Sequence, residues 1–409
     1  MIKLIFILIV VVSGIYSVIL NVVKGRSASN PTPESVSDVY DSETYEKWKK
    51  YSAEHCKLDL FSGIASGIIT IIMLFTDVYS AFASLFPAGL FFQVFAVVLL
   101  EVLVGSVVTV VVSYYETMVI EQKYGFNRSS VKTFIADKIR GTILNLALSL
   151  ALAFLIGLCY QWMGDLMVVV FTVIVFLFTM MISFLYPIFS RIGNKFTPLE
   201  EGELKERLMG LLNKHGYQVK AIEVMDASRR TTKLNAYFTG FGKMKTIVLF
   251  DNLVNAMTPD EICAVFAHEL GHGINRDVMK QQALNIIYMA LIGCTALLTV
   301  KLPILHTAFG FEGVNYGFSY ILVGVLLSLI QPLVSLLINA NSRRAEYRAD
   351  YQAVLEGYGE AMISAFKKLA KDNFAHLAPS RINVLLEYSH PPLNMRIEAV
   401  ENSMKELNK

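Results

Sequence analysis

The chain has 409 residues, of which 54% are hydrophobic and 17% charged, with a formal net charge of +2. That composition excludes an ordinary soluble domain and a disordered chain, and the near-balanced charge gives no handle for nucleic acid. A mean hydropathy of +0.50 points to a membrane protein.

Crossing the hydrocarbon core as a helix takes about 20 apolar residues. Stretches long enough lie at 4–23, 60–77, 89–115, 142–163, 167–190, 283–300 and 317–340. Well inside them the one charge is Glu101, in the third, where an ionisable residue signals a functional cavity or a partner on a neighbouring helix. The first stretch follows Lys3 and precedes Ser27-Ala28-Ser29, as a secretory signal would. It exceeds the roughly 7 to 15 residues of a signal core, so it reads as a retained span. Lys and Arg crowd the connections after the first, third and fifth spans and are missing after the second and fourth. The positive-inside rule therefore predicts that these loops, the polar part of the chain and the C-terminus face the cytosol. The four cysteines, Cys56, Cys159, Cys263 and Cys294, are scattered without a C-x-x-C pair and read as reduced filler.

Between the first two spans, Glu34 to Lys57 is charged and predicts an interfacial helix. After the fifth span the composition changes to mixed polar and apolar over 191–281, enough for a small folded unit. Pro198 to His215 has helical periodicity and ends at Gly216. Val219 to Met225, Leu234 to Thr239 and Thr246 to Phe250 are β-rich, and Gly240-Phe241-Gly242-Lys243 would turn the last two into a hairpin. A short antiparallel sheet is expected. Thr258-Pro259-Asp260-Glu261 then combines an N-cap, a proline at the first helical position and a capping-box glutamate, so a helix starts here and runs through residue 272.

That helix carries His268-Glu269-Leu270-Gly271-His272, an H-E-x-x-H motif. Residues four apart lie about 40° from each other around a helix, so His268 and His272 can grip one ion. Zinc takes neutral imidazoles and, in catalytic sites, leaves one position to water. Glu269, on a neighbouring face, is placed to take that water's proton. Downstream, Arg344 to Asp350 places Glu346 and Asp350 one helical turn apart. Glu346 completes a two-His, one-Glu ligand set for one Zn2+ per chain. Asp350 would accept the second ring N–H of a ligating histidine, His268 first. Ser389 to Arg396 contains His390-Pro391-Pro392, where prolines would hold a histidine at the mouth of a helix. Amide hydrolysis passes through an oxyanion that needs a donor besides the metal; His390 fits, with Arg396 as a second cation or clamp.

These motifs, with Ile120 to Asn127 and Leu234-Asn235-Ala236-Tyr237-Phe238 leading to Asp251, resemble the type 1 CAAX prenyl proteases, integral-membrane zinc endopeptidases of the gluzincin group. The resemblance implies a mainly α, polytopic membrane protein. Seven transmembrane helices would enclose a water-filled chamber, with a small α+β zinc protease domain at its cytosolic end. It also implies cleavage near the C-terminus of peptide or protein substrates, often prenylated. Asn235, Ala236 and Tyr237 would form an edge strand that receives extended substrate through main-chain hydrogen bonds. The parts are then 1–190, five spans and their loops; 191–281, the protease domain; 282–340, spans six and seven; and 341–409, its C-terminal helical part. Glu406-Leu407-Asn408-Lys409 is not an endoplasmic-reticulum retrieval pattern. A bacterial inner membrane therefore fits as well, and with it the alternative of general membrane-protein quality control without a prenyl requirement. A transporter would have no need of this metal-ligand spacing.

Overall fold

The computed structural model describes the chain apart from residues 190, 192–193, 218–220 and 240–245 and the side chains of 183–184, 186–189 and 238–239. Six helical stretches are long and apolar enough to cross a bilayer: Ile2–Ser27, Ser42–Phe75, Leu90–Tyr124, Val131–Ile182, Asp277–Lys301 and Tyr316–Leu355. The fourth is two legs. A helix Val131–Met163 stops at Gly164, whose φ of +54° breaks the helical path, and after one 3₁₀ turn a second helix runs over Met167–Phe189. Counted this way the spans number seven, the expected total.

The second and seventh spans extend furthest beyond the expected bounds. The charged stretch read as an interfacial helix is instead the start of the second span: one 34-residue helix, Ser42–Phe75, capped by the Asp41 side chain, which accepts from the Thr44 N–H at 2.7 Å. At about 1.5 Å per residue it spans about 51 Å against a core of about 30 Å, so its charged first turns stand outside the apolar layer. The seventh span is a single 40-residue helix, Tyr316–Leu355. The boundary placed at residue 340 falls inside it, and Glu346 and Asp350 ride on the same rod that crosses the bilayer.

The polar unit begins with a strand the periodicity did not predict, β1 (Phe196–Pro198), followed by a helix Glu203–Lys214, shorter at its start than expected. Pro198 ends the outermost strand, a position where its missing N–H breaks no ladder. Strands β2 (Ala221–Met225), β3 (Ala236–Thr239) and β4 (Thr246–Phe250) complete a sheet in the order β1-β2-β4-β3. The expected all-antiparallel sheet is corrected to a mixed one. β2 pairs parallel with β4, because the chain crosses over from β2 to β3 before returning through β4, while β1–β2 and β3–β4 are antiparallel. The turn expected at Gly240-Phe241-Gly242-Lys243, like Val219, lies outside the described residues.

The motif helix, Pro259–Ile274, has the full capping box: Thr258 Oγ1 accepts from Glu261 N at 3.4 Å and Glu261 Oε2 accepts from Thr258 N at 2.8 Å. Its apolar face, with Ile262, Cys263, Phe266 and Leu270, packs on the sheet residues Ile222, Ile247 and Leu249 and on Leu208 and Leu212 of the preceding helix. Its other side, Ala264 and Ala267, packs against Ala353 and Val354 of the seventh span and Phe366 and Val400 beyond it. Buried between sheet and seventh span, the motif helix cannot shift without repacking both.

Between the spans, cavities carry polar side chains among apolar ones. A cavity of about 440 Å³ is bordered by Glu101, Asn145, Ser149 and Tyr320, and another of about 410 Å³ by Tyr16, Gln331, Ser335 and Asn339. Glu101 meets both expectations for it, facing a cavity and accepting a hydrogen bond from Tyr79.

Candidate active site

The motif helix and the seventh span cross at Gly271. A Cβ built there would lie 2.9 Å from the Ala349 Cα, so glycine is what lets the two backbones approach. That approach sets Glu346 opposite the two histidines. Glu346 Oε2 lies 3.6 Å from His268 Nε2, and Oε1 lies 3.4 Å from His272 Nε2. One ligand atom from each of the three residues falls within 4.8 Å of the others. Glu346 is 4% exposed, yet its Oε2 has no hydrogen bond among the described residues. The Arg396 guanidinium stands 3.2 Å from that oxygen, so the carboxylate is held charged, facing both imidazole nitrogens. The donor set, two imidazole nitrogens and one carboxylate, suits zinc.

Both histidine rings are oriented from behind. His268 Nδ1 stands 2.8 Å from Asp350 Oδ1, as expected from the sequence. Arg396 grips the same carboxylate with two donors, Nε to Oδ2 at 2.9 Å and Nη2 to Oδ1 at 2.6 Å, and its Nη2 lies 3.2 Å from Glu346 Oε2. The guanidinium also lies 4.2 Å from the centre of the Phe366 ring. Arg396 thus acts on two carboxylates of the site as a clamp. The partner of the second histidine escaped sequence reasoning: His272 Nδ1 stands 3.1 Å from Asp277 Oδ2, and Asp277 Oδ1 accepts from Arg348 Nη2 at 2.6 Å. Arg276 adopts a φ of +54°, which ends the motif helix and swings Asp277 back under His272 at the start of the sixth span. No helical period predicts that contact, because the two residues belong to different helices. The spans therefore do not continue the motif helix directly.

Glu269 sits between these ligands on the motif helix. Burial raises its carboxyl above the ordinary carboxylate range and Glu346 adds to the rise, while the two imidazoles oppose it. His390 reaches the cluster from the C-terminal segment. Its Nε2 lies 3.2 Å from Glu346 Oε1, its Nδ1 lies 2.9 Å from Ser389 Oγ, and its side chain is 63% exposed. Asn235, Ala236 and Tyr237 lie at and just before β3, one of the two edge strands of the sheet, where Asn235 O accepts from Phe250 N at 3.1 Å. Ala236 packs against the core that holds Phe266 and Leu270 of the motif helix, so the edge runs beside the metal-ligand helix. The approach to β3 is pinned by Asn373, whose side-chain amide accepts from Leu234 N at 2.9 Å and donates to Leu234 O at 3.1 Å.

A two-histidine, one-carboxylate metal centre, set where a bundle of membrane helices meets a small sheet, defines an integral-membrane, multi-pass metallopeptidase. Family comparison makes the assignment particular. Residues 21–191 match the family described as CAAX prenyl protease N-terminal, five membrane helices, and residues 198–404 match peptidase family M48. The chain belongs to the CAAX prenyl protease 1 family of M48 metalloendopeptidases. It is 33% identical to the CAAX prenyl protease 1 homolog of Arabidopsis thaliana, over 72% of this chain and 70% of that protein. It is 30% identical to CAAX prenyl protease 1 of Saccharomyces cerevisiae, over 90% and 88%. The crystal structure of S. mikatae Ste24p superposes with a TM-score of 0.91 at 27% identity, covering 98% of this chain and 99% of that one.

Proposed function

We propose that this chain is a zinc endopeptidase that cleaves peptide bonds near the C-terminus of CAAX-type, prenylated substrates, with its catalytic face on the cytosolic side of the bilayer. The observation that carries the reading is the convergence of His268, His272 and Glu346, one ligand atom from each lying within 4.8 Å of the others. His268, His272 and Glu346 would hold the zinc, which when bound would supply a Lewis acid for the scissile carbonyl and the attacking water. Glu269 takes the proton from the attacking water and returns it to the leaving amine. His390, exposed beside Glu346, donates to the oxyanion. Asp350 and Asp277 fix the imidazole tautomers so that both Nε2 atoms face the ion. The edge strand β3, with Asn235, Ala236 and Tyr237, receives the substrate backbone as an added strand, a mode that reads main chain rather than side chain. The cytosolic assignment is supported by the crowding of Lys and Arg in the connections after the first, third and fifth spans.

The test compares matched prenylated and unprenylated peptides with purified protein, with and without a chelator. Faster turnover of the prenylated peptide, abolished by chelation and restored by zinc, is expected. Equal turnover of both would favour a general membrane endopeptidase, and chelator-resistant turnover would reject the metal mechanism.

A further inference from the structure

The helix that carries Glu346 also holds the loop that carries His390. Arg343 Nη1 donates to Val384 O at 2.9 Å, to Tyr388 O at 2.6 Å and, more weakly, to Leu385 O at 3.4 Å. Asn339 Nδ2 donates to Leu386 O at 3.1 Å. Val384, Leu385 and Leu386 close the short helix Arg381–Leu386, whose last carbonyls have no partner within it. A guanidinium is the suitable donor there: it never loses its charge, and the N–H groups of Nη1 alone serve these carbonyls.

Two residues past Tyr388 comes His390. Its side chain is mostly exposed, so packing does little to orient it, and the described side-chain contacts that aim it are Ser389 Oγ and the approach to Glu346. The direction of the ring therefore depends on where the backbone of 384–389 is held. Asn339, Arg343 and Glu346 recur at spacings of four and three, which puts them on one face of the seventh span. Ligand and donor are thus referenced to the same rigid surface.

We infer that Arg343, assisted by Asn339, is a positioning residue that sets His390 at its distance from the metal site. The inference rests on the reading of His390 as oxyanion donor. Loss of the Arg343 donor leaves the ligands in place but lets the His390 loop drift, so transition-state stabilisation falls while ground-state binding persists.

The experiment measures kcat, KM and zinc content for Arg343→Met, Asn339→Leu and His390→Ala, and for Arg343→Met combined with His390→Ala. Arg343→Met is expected to lower kcat about 10- to 100-fold with KM changed less than about 3-fold and one zinc retained, a smaller loss than the roughly 10²- to 10³-fold of removing an oxyanion donor outright. In the His390→Ala background the same change should cost less than about 3-fold, because the two act as a unit. Wild-type kcat in zinc-loaded Arg343→Met, or full multiplication of the two effects, overturns the inference. If His390→Ala alone keeps wild-type kcat, the reading of His390 falls and the inference with it. Should Arg343→Met fail to fold, Asn339→Leu reads the same loop: a kcat loss that vanishes in the His390→Ala background supports the inference, and one that persists there overturns it.

Discussion

Each histidine of the metal pair is backed by a carboxylate, and each carboxylate by an arginine: Asp350 with Arg396, Asp277 with Arg348. The symmetry separates chemistry from support. Glu269 ligates nothing, so Glu269→Gln is expected to lower turnover by about 10²- to 10⁴-fold, the range of general acid–base catalysis, with one equivalent of zinc still present by metal analysis. Turnover within a few-fold of wild type would remove Glu269 from the mechanism. Asp277 does the reverse job. Asp277→Asn keeps the size of the side chain but no longer favours a proton on His272 Nδ1, and zinc affinity measured by chelator competition is expected to fall about 10- to 100-fold. Unchanged affinity would mean that the 3.1 Å contact orients nothing.

Among the elements, the crossing of the motif helix and the seventh span decides whether a metal site exists at all. Gly271 meets Ala349 Cα at 2.9 Å and Gln352 Cβ at 2.9 Å from a Cβ position. One of those neighbours is backbone and cannot rotate away. Gly271→Ala therefore pushes the helices apart, and overpacking of this kind costs about 1–3 kcal/mol. The expected result is a folded protein of lower unfolding temperature with less than one equivalent of zinc, because Glu346 is carried away from His268 and His272. Full zinc occupancy at unchanged stability would show that the crossing tolerates the methyl group. The capping box at Thr258 and Glu261 was legible as a local pattern and forms as written. The parallel pairing of β2 with β4 was not, since a strand's own residues do not say which neighbour it takes.

Across the whole molecule, the first span is tied to the C-terminal segment through His376. Ser27 Oγ donates to Lys24 O at 2.7 Å, so its 2.8 Å contact with His376 Nε2 is one in which the ring donates; Ala378 N donates to His376 Nδ1 at 3.2 Å. The site accepts only the neutral ring. Burial, reinforced by Lys24, lowers the His376 pKa to about 4. The unfolded state takes up the proton first, so the stability from this residue is complete above pH 6.5 and is lost as pH falls from there toward about 4. By pH 5 the loss is about 2 kcal/mol. Unfolding in detergent from pH 7 to 5 should show His376→Gln with a flatter decline than wild type. Parallel declines would mean that the ring is protonated in the folded protein.

The span segments, the H-E-x-x-H helix, Glu346, Asp350, His390 and Arg396 could be read from the chain, because hydropathy and helical period are local properties that survive without tertiary context. Only the folded chain decided that Glu346 stands on the membrane-crossing helix itself, and that a break at Arg276 returns Asp277 to His272. It alone brought Arg343 and Asn339 to a loop some 40 residues away. Those contacts join segments whose mutual distance is set by packing, and no spacing along a sequence encodes the close approach that a single glycine permits.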